Sequence, residues 1–229
     1  QGNCRQRRGQ FRQRSDLGLR LNALAAEKVN YKRELKSLYG GRVDRPVTVD
    51  VPPMNVLKID GHGDPNSSQE YADAIEALYP VAYTIKFMCK KAQVEDFGVM
   101  PLEGLWWTED MRDFSVDDKS DWLWTAMIMQ PEVVTGVMFE RAVEQVAGKK
   151  NPKLLSRVRF ESYDEGRAAQ VMYVGPYSNE GPAIERLHAF IDEQGGSLEG
   201  TDLHHHEIYL NDPRRTDPSK LKTVIRQPY

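Results

Sequence analysis

Cysteine is nearly absent from this 229-residue chain: Cys4 and Cys89 are its only thiols. Neither a disulfide framework nor a cysteine-built zinc site fits that count, and a reducing cytosolic setting is the expectation. Long apolar runs are missing too, which excludes a secretory h-region and a helical membrane span. Familiar catalytic signatures are also lacking, since GxSxG, the P-loop, HExxH and GxGxxG do not occur. Any chemistry must therefore come from clusters that folding assembles.

Charge of one sign is scarce where nucleic-acid binding would need it. Residues 1–45 carry 12 Lys+Arg against 4 Asp+Glu, leaving 19 against 30 in the body of the chain. An acidic body argues against nucleic acid as the ligand, because phosphate binding needs clustered cations. Residues 1–30, rich in Gln and Arg, read as a disordered or extraneous basic tail rather than part of the domain.

What is present is regular from residue 46 onward. Period-two runs predict strands over 54–62, in LEGLWWTED, in DWLWTAMIMQ ahead of Pro131, and in the last two segments, HHHEIYLND and LKTVIRQPY. Tyr71, Ile75, Leu78, Ala82, Ile85 and Met88 fall at helical spacing behind a Ser67 or Ser68 cap, with Pro80 expected to kink or divide that helix. EVVTGVMFERAVEQVAGKK and GPAIERLHAFIDEQGG read as two more helices, the latter ended by Gly195–Gly196. SRVRFESYDEGRAAQVMYVGPY reads as a hairpin turning at Asp164–Glu165–Gly166. The order strand, Gly-rich turn, helix, two strands occurs twice, over about 46–150 and 151–229. The expected class is α+β: tandem β-α-β-β units with antiparallel sheets, helices on one side and a central cleft.

Two clusters stand out. All four tryptophans, Trp106, Trp107, Trp122 and Trp124, lie on two adjacent predicted strands. Tyr163 and Tyr173 give the second half comparable rings, and such rings form walls for flat aromatic or cationic ligands. Carboxylates also interrupt apolar strands at Glu103, Glu161 and Glu207; inside a pocket such a group becomes a candidate acid or base. Alternation puts His205, Glu207 and Tyr209 on one face of their strand, and His204, His206, Ile208 and Leu210 on the other, packing face. A metal held by His204 and His206 would lack both Glu207 and an evident third ligand, so no metal or cofactor is expected.

AAQVMYVGPYSNEGPAIERLHAFIDEQG and HHHEIYLNDPRRTDPSKLKTVIRQPY resemble the C-terminal half of the GyrI-like small-molecule-binding domains. YKRELKSLYGGRVDRPVTVDVPPMNVLKIDGHGDPN and PLEGLWW resemble the N-terminal half of a single-domain branch, so the likeness covers residues 31–229. It implies a groove between tandem units that binds bulky flat drugs, with the E-I-Y glutamate, Glu207, at its floor. The EGLWW and HHEIYL branch is similar to the cyclopropanoid cyclopropyl hydrolases, which open the strained ring of DNA-alkylating compounds within an aromatic cage. On that resemblance Glu207 and Tyr209 are the candidate catalytic residues. Trp106, Trp107, Trp124, Tyr163, Tyr173, His205 and Glu103 are the candidate ligand-binding ones. A small hydrophobic or aromatic ligand is the expected partner, with passive binding as the alternative to turnover.

Overall fold

The computed structural model describes residues 28–109, 118–198 and 204–229. Of the expected basic tail, residues 1–30, those up to 27, Cys4 among them, lie outside the described residues, while Lys28 and Val29 pair with Asp96 and Phe97 and Asn30 caps the first helix. Eight strands form one antiparallel sheet: β2 (Val47–Val51), β3 (Met54–His62), β5 (Leu102–Trp107), β6 (Leu123–Gln130), β7 (Arg159–Tyr163), β8 (Gly166–Val174), β9 (His205–Tyr209) and β10 (Lys222–Pro228). Two short strands, β1 (Lys28–Val29) and β4 (Asp96–Phe97), pair in parallel apart from it. The helices are α1 (Tyr31–Glu34), α2 (Gln69–Lys91), α3 (Gly136–Ala147) and α4 (Gly181–Glu193).

The order across the sheet is β2-β8-β10-β9-β5-β6-β3-β7. The first β-α-β-β unit supplies β3, β5 and β6, the second supplies β8, β9 and β10, and the two meet where β5 pairs with β9. The expected duplication is therefore present, but as a single continuous sheet. The expected hairpin is not: β7 pairs with β3 and β8 pairs with β2 and β10. Asp164 and Glu165 carry the chain from one margin of the sheet to the other, and Pro52–Pro53 do the same between β2 and β3.

Two residues reach only about 10 Å between their flanking positions, so the margins must approach each other and the sheet must curl. Ring positions confirm it. β7 and β9 are four ladder steps apart, roughly 19 Å in a flat sheet, yet the Tyr163 and His206 rings are 6.3 Å apart. Tyr163 and His206 therefore occupy the inner face of the curl, and α2 and α4 cover the outer face.

Local chemistry explains the elements. Ser68 caps α2 by accepting from the Tyr71 amide, and Thr135 caps α3 in the same way. Gly195, at φ +72°, supplies the left-handed residue that ends α4. Pro80 does not divide α2, which runs unbroken from Gln69 to Lys91. Ala77, Leu78, Val81 and Ala82 are buried on both sides of the proline, and that packing holds the helix together across the lost hydrogen bond.

The main core lies between α2, α3 and the outer face of β3 and β6; a second core of Val171, Ala183, Leu187, Ile191 and Ile225 seats α4. The inner face is filled by Val56, Leu105 and Met127 and by a polar network. In that network His206 bridges Glu165 at 2.8 Å and Glu103 at 3.1 Å, and Arg226 reaches Glu165 at 2.7 Å. Arg226 also donates to the Leu38 carbonyl and Gln170 to those of Ser37 and Gly40, which ties the segment after α1 across the open side of the curl. No described helix is long and apolar enough to cross a membrane.

Candidate functional site

A groove of about 840 Å³ opens on the outer face between α2 and the turn that precedes α4. Strand register builds its floor. Gly104 pairs with Glu207 and Trp106 with His205, so Trp106, Glu207 and Tyr209 project to the same side from neighbouring strands. Gly104 has a packing role: a Cβ there would lie 2.6 Å from the Trp106 ring, so only glycine lets the indole lie flat along its own strand. Gly61, the partner of Trp124 on the neighbouring strand β3, leaves room for the Trp124 ring.

The walls are aromatic. Tyr71 of α2 packs on Trp106 at 5.5 Å, Trp122 lies 5.4 Å from Trp106, and Tyr177 meets Tyr209 edge-on at 5.5 Å. Tyr79 and Tyr83, about two and three turns beyond Tyr71 along α2, extend the wall toward solvent. Lys119 stands 4.5 Å over the Trp122 ring and lines the groove. Pro80 removes the partner of the Glu76 carbonyl, and both residues line the groove.

The polar floor is one chain of contacts. Tyr209 donates its hydroxyl to Glu207 Oε2 at 2.7 Å, and His205 Nε2 lies 3.3 Å from Oε1. Glu207 is only 9% exposed. Burial raises its pKa, but the hydrogen bond and field of His205, then the Tyr209 hydroxyl and Lys119, outweigh it and the net shift is downward. A carboxylate anion thus sits at the bottom of an aromatic groove. Beside it Glu180 goes the other way, pushed up to about 9 by burial and by the charge of Glu207. Burial and Glu207 also push Tyr177 up to about 12.

Of the residues expected from sequence, the groove brings together Trp106, Glu207 and Tyr209, with His205 directly behind Glu207. Trp124 shares their face but lies beneath Tyr71, fully buried and edge-on to it at 5.0 Å. Tyr173 also faces outward, yet it packs with the α4 core and donates to the Pro176 carbonyl. Trp107, Tyr163 and Glu103 are on the inner face. Trp107 stacks on His204 at 4.1 Å, and Glu103 accepts from Tyr39 at 2.7 Å and pairs with His206. These five therefore do not line the groove; alternation along β5 turns Glu103 and Trp107 away from Trp106. His206 is on a buried face as expected, but as an ionic hub rather than an apolar contact, and Leu210 lines the groove just past the end of β9. Sequence reading missed Tyr71, Tyr79, Tyr177 and Lys119 of the lining and Glu180 behind it, and chose Trp124 where Trp122 lines the groove. The Tyr79–Tyr83–Phe87 row, spaced at four and set off the core stripe of α2, was the available signal.

A curled antiparallel sheet carrying two helices and an aromatic groove with an anionic floor defines a small-molecule-binding domain. The model of the GyrI-like small molecule binding domain matches residues 45–229, and the chain belongs to that family. A crystal structure of an uncharacterized conserved protein from Listeria innocua superposes with TM-score 0.81 at 40% identity, covering 87% of this chain and 98% of that one. Two crystal structures described as hydrolases from Listeria innocua give 0.76 at 38% identity and 0.77 at 39%. They cover 87% and 88% of this chain and 98% and 99% of theirs. No curated protein matches the chain.

Proposed function

We propose that the groove takes up bulky, flat aromatic xenobiotics in the cytoplasm and hydrolyses strained cyclopropanes of DNA-alkylating compounds. The observation that carries this reading is the buried, ionised Glu207 enclosed by Trp106, Trp122, Tyr71, Tyr177 and Tyr209. The hydrolases from Listeria innocua, similar over nearly the whole domain, support the catalytic part.

The chemistry asks little covalent work of the protein. In a cyclopropane fused to a dienone, a water oxygen attacks the ring methylene. The carbon–carbon bond to the ring breaks, and its electron pair passes to the carbonyl oxygen as the system aromatises to a phenolate. The proton lost by the water goes to Glu207 and the phenolate takes one up from solvent. Stacking on the indoles holds the flat system, a positioning effect that supplies several kcal/mol. Tyr209, its proton committed to Glu207, is a positioning residue that fixes the carboxylate rather than a donor to substrate. Lys119 is the cation nearest the floor for the developing phenolate.

A second reading is stoichiometric sequestration. Its support is the lowered proton affinity of Glu207, which makes it a better counter-ion for an aromatic cation than a base. Counting ring-opened product from a spirocyclopropyl cyclohexadienone separates the two. Catalysis yields many equivalents per protein, and E207Q keeps ligand affinity while slowing turnover about 10²–10⁴-fold. Product that stops at one equivalent, or a rate unchanged in E207Q, rejects the hydrolytic assignment.

A further inference from the structure

Glu180 has no evident structural task. It immediately precedes α4, where an acidic side chain normally caps the helix amides, yet its carboxyl makes no capping bond. The residue is 4% exposed and its Oε1 has no hydrogen-bond partner among the described residues. A carboxyl buried without a counter-ion is neutral, since an unpaired buried charge is far too costly. It lies behind the groove floor rather than among the lining residues, within reach of the charge of Glu207 and beside Thr223. Tyr177, in the same 3₁₀ turn, forms groove wall, and Thr223 beside it is the register partner of Tyr209.

We propose that Glu180 is a second carboxyl set just behind the groove floor, an uncharged acid that gives up its proton when a lipophilic cation binds beside Glu207. The proposal rests on the groove-binding reading above and adds a rule for ligand charge. With a neutral guest the floor carries the single charge of Glu207. With a cationic guest the incoming charge replaces the missing counter-ion, Glu180 ionises, and the site becomes doubly anionic. The position ahead of α4 supports this, because the helix dipole favours the ionised form. One site therefore accommodates neutral and cationic aromatics by changing its own protonation.

The groups facing Glu180 are Glu207 and Tyr209 from β9 with His205 behind them, Thr223 from β10, Tyr173 from β8 and Tyr177 from its own turn. Tyr71 of α2 stands over Tyr209, Lys119 adds a cation from across the groove, and His188 of α4 lies behind His205. His206 titrates in the same alkaline window but belongs to the inner face. A variant of either residue separates the two.

The test compares tetraphenylphosphonium with the neutral triphenylphosphine oxide by calorimetry between pH 6 and 9. For wild type, phosphonium affinity should rise roughly tenfold between pH 7 and 9, and binding should release protons, seen as a heat that changes with buffer ionisation enthalpy. The phosphine oxide should show neither effect. In E180Q the phosphonium series should be flat, matching wild type at pH 6 and falling below it at pH 9, with phosphine oxide affinity unchanged. An identical pH rise in E180Q overturns the proposal, as does phosphonium binding to wild type without proton release. If neither probe binds wild type, the groove-binding reading fails and takes the proposal with it. If E180Q is unstable, H206Q removes the competing group instead, and a phosphonium pH rise that disappears in H206Q overturns the proposal.

Discussion

Raising the pH should loosen this fold through one imidazole. His206 is fully buried between Glu103 and Glu165. Burial depresses its pKa, but the charge of Glu165 and the hydrogen bonds to Glu103 and Glu165 more than reverse that, raising it from 6.5 to about 9. A basic group whose folded pKa is raised contributes stability that is fully present below its unfolded pKa and is lost as pH climbs through the folded one. A rise from 6.5 to about 9 corresponds to about 3 kcal/mol, lost progressively across that window. Glu180, also raised, adds a slope of the same sign, so the informative quantity is the difference between wild type and His206→Gln. Urea unfolding followed by tryptophan fluorescence at pH 6.5, 8 and 9.5 measures it. Wild type should exceed the variant at pH 6.5, where the variant leaves two carboxylates without their imidazolium. The two curves should converge by pH 9.5. Parallel curves would mean that His206 is neutral throughout and that the inner network is held by Arg226 alone.

The two faces of β5 give a second prediction: Trp106→Ala should abolish most binding of a flat aromatic ligand, a loss of about 1–3 kcal/mol. Trp107→Ala should leave affinity intact and lower the thermal midpoint instead. Gly104→Ala should act two positions along the strand, displacing the Trp106 ring it would strike at 2.6 Å. The expected cost is about 1–3 kcal/mol of stability together with weakened ligand binding, readable in one titration and one melting curve.

Much of this was legible in the chain, and the boundary between what was and was not has a physical cause. The 54–62 strand, the Ser68 cap and the Gly195 stop are local events, set by period and by backbone conformations within a few residues. The hairpin at Asp164–Glu165–Gly166 failed although its turn chemistry is sound, with Gly166 at φ +70°. The glycine takes the left-handed conformation, but the strands on either side find partners elsewhere, and pairing partners are not a local property. The site divides in the same way. Alternation placed His205, Glu207 and Tyr209 together correctly. It could not say which face of β5 adjoins them, because that depends on the Gly104–Glu207 register. Glu103 was assigned to ligand for that reason; its true partners, Tyr39 and His206, come from remote parts of the chain. Pro80 shows the limit of propensity, since packing on both sides overrides the break.

The crossing of β2 and β7 to opposite margins of the sheet has a consequence for how the molecule forms. Val47 meets Gln170 and Met54 meets Tyr163, so each half closes the other's edge. Neither half alone can complete its hydrogen-bond ladder, and an isolated first half would expose β3 as a sticky margin. Ordering must wait for contacts that span most of the chain, which makes assembly slow and all-or-none. The groove, lying on the seam between the halves, therefore comes into existence only with the last of the fold.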